Sequence, residues 1–184
     1  MQNSLFDFFV VISRISGQQS MVISSVLVSI IVFFYHKEKR LAGFLFFNYT
    51  ATMTIVVILK NLIQKPRSSL ALVYENSYAF PSGHIASAMI TFLIIFYLSK
   101  FIKNNFWKSF FRFLGIIWLL LIIEARLYLK VHDIYDVIGA IVVSSLVFYF
   151  SLKIKIFKNG ILKEEFVKVE KIVKKEEIFL EKNI

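Results

Sequence analysis

Leu41–Leu59 reads LAGFLFFNYTATMTIVVIL, and no residue in it carries a charge. A helix rises about 1.5 Å per residue, so roughly 20 apolar residues cross the hydrocarbon core of a bilayer. Basic residues stand on both sides of the run: Lys37, Lys39 and Arg40 before it, Lys60 after it. Further uncharged runs are Ile15–Tyr35, Ile85–Ser99 and Val137–Leu152, and Phe113–Ile123 is apolar between Arg112 and Glu124. The chain is 58% hydrophobic and 17% aromatic, with 6 Gly and 2 Pro, which excludes an ordinary soluble domain. These runs predict an all-α, polytopic membrane bundle with about five transmembrane helices, near residues 17–36, 41–60, 83–101, 110–128 and 134–152. The pattern Leu5, Phe6, Phe8, Phe9, Ile12 predicts a short interfacial helix ahead of them. Residues 1–13 contain Asp7 and lack the basic start of a cleavable signal. The expected division is one integral domain, Met1–Leu152, and a charged tail, Lys153–Ile184.

Charge placement sets the expected partners. The net charge is +10. If the spans alternate, Lys37, Lys39, Arg40, Lys100, Lys103, Lys108 and Arg112 share a side with the tail. Arg14, Lys60, Lys65, Arg67, Arg126 and Lys130 are on the other. The positive-inside rule then places the tail in the cytoplasm and the second group at the periplasmic or outer face of the plasma membrane. The expected partners are the bilayer and a membrane lipid, not nucleic acid, and the sequence leaves the oligomeric state open. The tail holds nine Lys and six Glu, the mixture of a solvated segment beside anionic headgroups. With no cysteine there is no disulfide, thiolate ligand or thiol nucleophile.

Three short clusters carry the chemistry. His132 and Asp136 are four residues apart at the start of the last span, so a helix puts them on one face. A carboxylate there fixes the imidazole tautomer and leaves the other ring nitrogen as nucleophile or base. Alone, that spacing equally describes a helix-capping Asp beside an interfacial His. Arg126, six residues earlier, adds a planar fork of donors suited to phosphate, though an interfacial Arg also snorkels to headgroups. Lys60 and Arg67 repeat the pattern after the second span, where Pro66 disfavours helix at Lys65 and leaves Arg67 free to turn back toward Lys60. Pro81-Ser82-Gly83-His84 opens the third span: Ser82 caps it, Gly83 admits a ligand to the backbone, and His84 stands beside an anion site ready to donate a proton. Glu124, two residues before Arg126, is about 200° away around a helix and is expected to face another helix.

Lys-x6-Arg, Pro-Ser-Gly-His and Arg-x5-His-x3-Asp, in that order, resemble the type 2 phosphatidic acid phosphatase superfamily, which includes vanadium haloperoxidases. The resemblance covers roughly Leu41–Ser151. It implies a membrane lipid phosphatase in which His132 attacks phosphorus to form a phosphohistidine, Asp136 orients His132, and His84 protonates the leaving oxygen. It implies further that Lys60, Arg67, Ser82, Gly83 and Arg126 hold the phosphoryl oxygens. Two positions depart from the family pattern: Ser68 follows Arg67 where Pro is usual, and Ala125 precedes Arg126 where Ser is frequent. Neither removes a charge. No cofactor or metal is expected, because the acids near the motifs (Glu75, Asp133 and Asp136) are too few for a two-metal hydrolase. Among lipids, the family analogy favours a polyprenyl diphosphate such as undecaprenyl diphosphate, ahead of phosphatidylglycerophosphate, phosphatidic acid or a lipid A phosphate. The rival expectation is a non-catalytic protein that binds or moves phospholipid with the same cations. It has no use for an oriented His–Asp pair.

Overall fold

The computed structural model describes residues 4–17, scattered positions between 23 and 34, and residues 39–154. Five helices are complete there: α1 (Ser4–Ile15), α2 (Lys39–Ile63), α3 (Gly83–Leu98, extended by a 3-10 turn, Ser99–Phe101), α4 (Asn105–Tyr128) and α5 (Ile134–Lys153). No strand occurs among the described residues. The expected first span, 17–36, lies largely outside them, although positions 23, 25–27, 29–31 and 34 are helical. The expected tail lies outside them from residue 155 onward.

Each long helix stops or starts for a local reason. Gln64 takes a left-handed φ of 50° and donates its N–H to the Lys60 carbonyl at 2.9 Å, and Pro66 then prevents resumption. Asn104 caps α4 by accepting from the amides of Phe106 and Trp107 at 2.9 and 3.3 Å. The same helix ends at Leu129, and Lys130 adopts φ 53° to turn the chain toward His132.

Among the described residues, three helical stretches are long and apolar enough to cross a membrane: Lys39–Ile63, Gly83–Phe101 and Ile134–Lys153. The fourth expected span differs. Its helix, α4, has 24 residues, and Lys108, Arg112, Glu124 and Arg126 flank its uncharged stretch, Phe113–Ile123. Arg126 is fully buried. Glu124 is exposed on the outside of the bundle rather than packed on another helix, which corrects that expectation.

The central helix, α3, packs on α2, α4 and α5, while α1 packs on α4. Lipid is as apolar as leucine, so close van der Waals contact and interhelical hydrogen bonds hold a membrane bundle, with little help from the hydrophobic effect. Ala86 and Ala88 on α3 and Ala140 on α5 are fully buried and bring backbones together. Ser144 on α5 donates to the Ala86 carbonyl at 3.0 Å, and Ser151 donates to Asn48 Oδ1 of α2 at 3.0 Å. Outward, Phe46, Ile58, Phe113, Leu120 and Leu146 present an apolar surface suited to acyl chains.

Residues 64–82 fold over one end of this bundle. The Leu72 amide donates to the Leu129 carbonyl and the Ala79 amide to the Lys65 carbonyl, both at 2.9 Å. Phe80 lies on the backbone of α5 at Gly139, where an added Cβ would come within 2.3 Å of the ring. That contact seats the segment leading into Pro81 and Ser82. At the other end, Arg112 stacks over Phe96 (4.4 Å) and bonds Ser99, and Lys100 and Lys153 lie over Tyr97 and Tyr149.

Candidate active site

The alternation of α2 to α5 brings the ends of α2 and α4 and the starts of α3 and α5 to one end of the bundle, under the 64–82 loop. All eight expected site residues are there.

The start of α5 sets the geometry of the His132–Asp136 pair. Asp133 caps the helix, accepting from the amides of Tyr135 (3.0 Å) and Asp136 (3.2 Å), and Asp136 Oδ2 accepts the Asp133 amide at 3.2 Å. The capping box therefore fixes the Asp136 carboxylate. The same oxygen lies 3.1 Å from His132 Nδ1. Capping and orienting are thus one arrangement, not alternatives. With Nδ1–H donated to Asp136, Nε2 keeps its lone pair and lies 3.4 Å from Arg67 Nη1. Burial first, then the charges of Arg126 and Arg67, lower the His132 pKa to about 4 against the opposing hydrogen bond from Asp136. The ring is therefore neutral at pH 7, as a nucleophile must be.

Lys65 is part of this arrangement although the motif reading gave it no role. Its ammonium donates to Asp136 Oδ1 at 2.7 Å and to Asp133 Oδ2 at 2.6 Å. Burial would lower its pKa, but these two carboxylates outweigh that and raise it. A locked Asp136 locks His132. We expect Lys65→Met to lower kcat between about ten- and a hundredfold by loosening that orientation, with KM little changed. Steady-state kinetics check this, and Lys65→Arg should restore most of the loss.

The cations surround a single carboxylate. Arg126 Nη2 donates to Glu75 Oε1 at 2.6 Å, and Arg67 Nη2 donates to Glu75 Oε2 at 3.2 Å. Arg67 also donates to the Ser77 carbonyl (2.7 Å), Ser77 Oγ (3.0 Å) and the Val131 carbonyl (2.9 Å). It turned toward His132 and the loop, although its charge still reaches Lys60, whose ammonium bonds the Tyr78 carbonyl. Arg126 Nη1 bonds Ser13 Oγ of α1, while its buried Nε–H has no partner among the described residues. An orphan buried donor beside two bridged arginines suits a further anion. Burial would raise the Glu75 pKa, but the charge and hydrogen bond of Arg126, with the charge of Arg67, lower it. Glu75 is thus an anion held where Arg67 and Arg126 converge.

Motif two joins the same centre. Ser82 is fully buried, accepts from the Ile85 amide at 3.5 Å, and donates its own amide to the Asp136 carbonyl at 3.2 Å. That bond ties the start of α3, with Gly83, to the start of α5. First-turn amides of a helix lack intrahelical acceptors and favour an anion. His84 lies within the fields of Arg126 and Glu75. Lys60, Arg67 and Glu75 line a cavity of about 620 Å³. Among the described residues no three His, Cys, Asp or Glu group as metal ligands.

Sequence reasoning missed Lys65, Glu75 and Ser13 as site residues. Lys65 was visible as a second cation beside Arg67, and Glu75 as the one acid between the first two motifs. Nothing in the sequence pointed to Ser13.

A family model described as the PAP2 superfamily matches residues 20–159. Phosphatidylglycerophosphatase B of Bacillus subtilis (strain 168) is 34% identical over 110 residues, a match covering 55% of this chain and 54% of that protein. The chain thus aligns with about half the length of that relative. The crystal structure of the first transmembrane PAP2 type phosphatidylglycerolphosphate phosphatase from Bacillus subtilis matches with a TM-score of 0.73 at 25% identity. That match covers 89% of this chain and 81% of the other.

Proposed function

Because the chain belongs to the PAP2 superfamily, we propose that it is a membrane lipid phosphatase that works through a phosphohistidine on His132. One observation carries the reading: His132, fixed by Asp136 at 3.1 Å, places Nε2 3.4 Å from Arg67, one of the two arginines that already hold an anion. A phosphoryl group that displaces Glu75 meets Arg67 and Arg126 together with the spare Arg126 Nε–H. Phosphoryl transfer needs mostly positioning and positive charge around the equatorial oxygens, and these groups supply both.

The proposed course has two displacements at phosphorus. His132 Nε2 forms a bond to phosphorus as the bond to the leaving oxygen breaks, and His84 gives that oxygen its proton. Water then attacks the phosphohistidine, His84 takes the water proton, and inorganic phosphate leaves. The activities for which these Bacillus subtilis proteins are named support phosphatidylglycerophosphate as the first substrate to test. The polyprenyl diphosphate favoured by sequence is second. Purified protein should release phosphate from such a lipid in excess chelator, and vanadate should block release by taking the phosphoryl position. Loss of turnover in chelator with recovery in Mg²⁺ would refute the metal-free reading.

The proposed sidedness rests on charge. Lys39, Arg40, Lys100, Lys103, Lys108, Arg112 and Lys153 lie at the bundle end away from the site, the pattern of a cytoplasmic face. The site then faces the periplasm or exterior, with residues 1–152 as the membrane domain and the tail inside. The chain lacks cysteine, so Ser69→Cys and Lys103→Cys can be labelled singly in intact cells. Ser69→Cys should react with an impermeant maleimide from outside and Lys103→Cys only after lysis. The opposite pattern inverts the topology.

A further inference from the structure

A second cavity, of about 410 Å³, adjoins Glu75, which lines both cavities. Its walls come from α1 (Val10, Ser13 and Arg14), from the loop (Val73 and Tyr74) and from His84 at the start of α3. The two cavities divide the site's groups: Lys60 and Arg67 line the first, and His84 and Arg14 the second. Arg14, in the last turn of α1, makes no ion pair among the described residues.

In-line displacement places the attacking and leaving oxygens or nitrogens on opposite sides of phosphorus. If, as proposed above, His132 attacks and His84 protonates the leaving oxygen, the leaving group emerges on the His84 side, in the second cavity. Its cation, Arg14, is not among those that grip the transferred group. A neutral alcohol leaving group gives Arg14 nothing to pair with, whereas a leaving group bearing its own phosphate does. The outward residues of α1, Leu5, Phe8, Val11 and Ile15, continue as an apolar surface along which lipid chains can lie. We infer that Arg14 and this cavity form a subsite for a second phosphate, carried on the leaving group, so that the enzyme prefers two-phosphate lipids to lipid monophosphates. That chemistry has two sources: the diphosphate of a polyprenyl carrier, or the phosphodiester of phosphatidylglycerophosphate.

The test compares full-length wild type and Arg14→Gln on phosphatidic acid, phosphatidylglycerophosphate and a polyprenyl diphosphate. Arg14→Gln should lower kcat/KM on two-phosphate lipids by about tenfold or more, mainly through KM, and leave phosphatidic acid unchanged. A loss confined to one two-phosphate lipid identifies the source. Equal change on all three lipids, or none, overturns the subsite. Binding of short-chain versions of the same lipids to His132→Ala, with and without Arg14→Gln, decides the subsite without turnover. If wild type releases no phosphate, the phosphatase reading fails. The subsite still stands or falls on whether Arg14→Gln weakens binding of the two-phosphate lipids alone.

Discussion

Phosphate release by His132→Ala should fall below detection while binding of the lipid survives. In the structure His132 is buried outside the helices and takes no part in the capping box of α5. It sits in the turn between α4 and α5, and its contacts are Asp136 at 3.1 Å and Arg67 at 3.4 Å. Alanine there removes the nitrogen proposed to attack phosphorus and leaves the capping box and the arginine–Glu75 cluster in place. Loss of a covalent nucleophile removes the reaction path itself, so the effect exceeds that of any single phosphate-holding cation. The check is phosphate release beside a binding measurement on the same preparation. Near-normal release would remove His132 from the mechanism. Release and binding lost together would mean that the fold had failed.

Arg126→Ala should produce the second-largest effect, on both activity and stability. Removing one preorganised donor from a developing charge typically costs about 10²- to 10³-fold in rate, and Arg126 presents Nη2 and the unpartnered Nε–H to the site. Without it Glu75 keeps only Arg67, at 3.2 Å. Breaking a buried ion pair by deleting one partner costs about 3–5 kcal/mol. Glu75 retains some solvent contact, so the lower part of that range applies. Arg126→Ala should therefore melt earlier than wild type, and Arg126→Ala combined with Glu75→Ala should recover stability but not activity. Thermal melts and phosphate release on the single and double variants decide this. Additive losses would contradict the coupling of the two residues.

Much of this site was legible in the sequence because its parts are local. Ser82 capping α3, Asp136 four residues from His132, and Pro66 ending α2 are each settled within a few residues, and the structure reproduces them. The expected helix limits at 41–60, 83–101 and 134–152 fall within three residues of those observed. The rest depends on long-range contacts that no local pattern encodes. Glu75 meets Arg126 across 51 positions, and Ser13 meets it across 113. Lys65 and Arg67 are both loop cations, and only the folded 64–82 segment sends one to Asp136 and the other to His132. Helix α4 was harder to read than its neighbours for a physical reason: its apolar centre is short because both ends carry charges the fold uses, Arg112 over Phe96 and Arg126 in the site.

The stereochemical course at phosphorus tests the central claim most directly. A lipid thiophosphate made chiral at the transferred group with sulfur and an oxygen isotope is turned over by the purified enzyme in water of the third oxygen isotope, and the configuration of the released thiophosphate is read. Attack by His132 followed by attack of water is two inversions, so the account predicts overall retention. Overall inversion would mean that water attacks the lipid phosphate directly, and would contradict a phosphohistidine on His132.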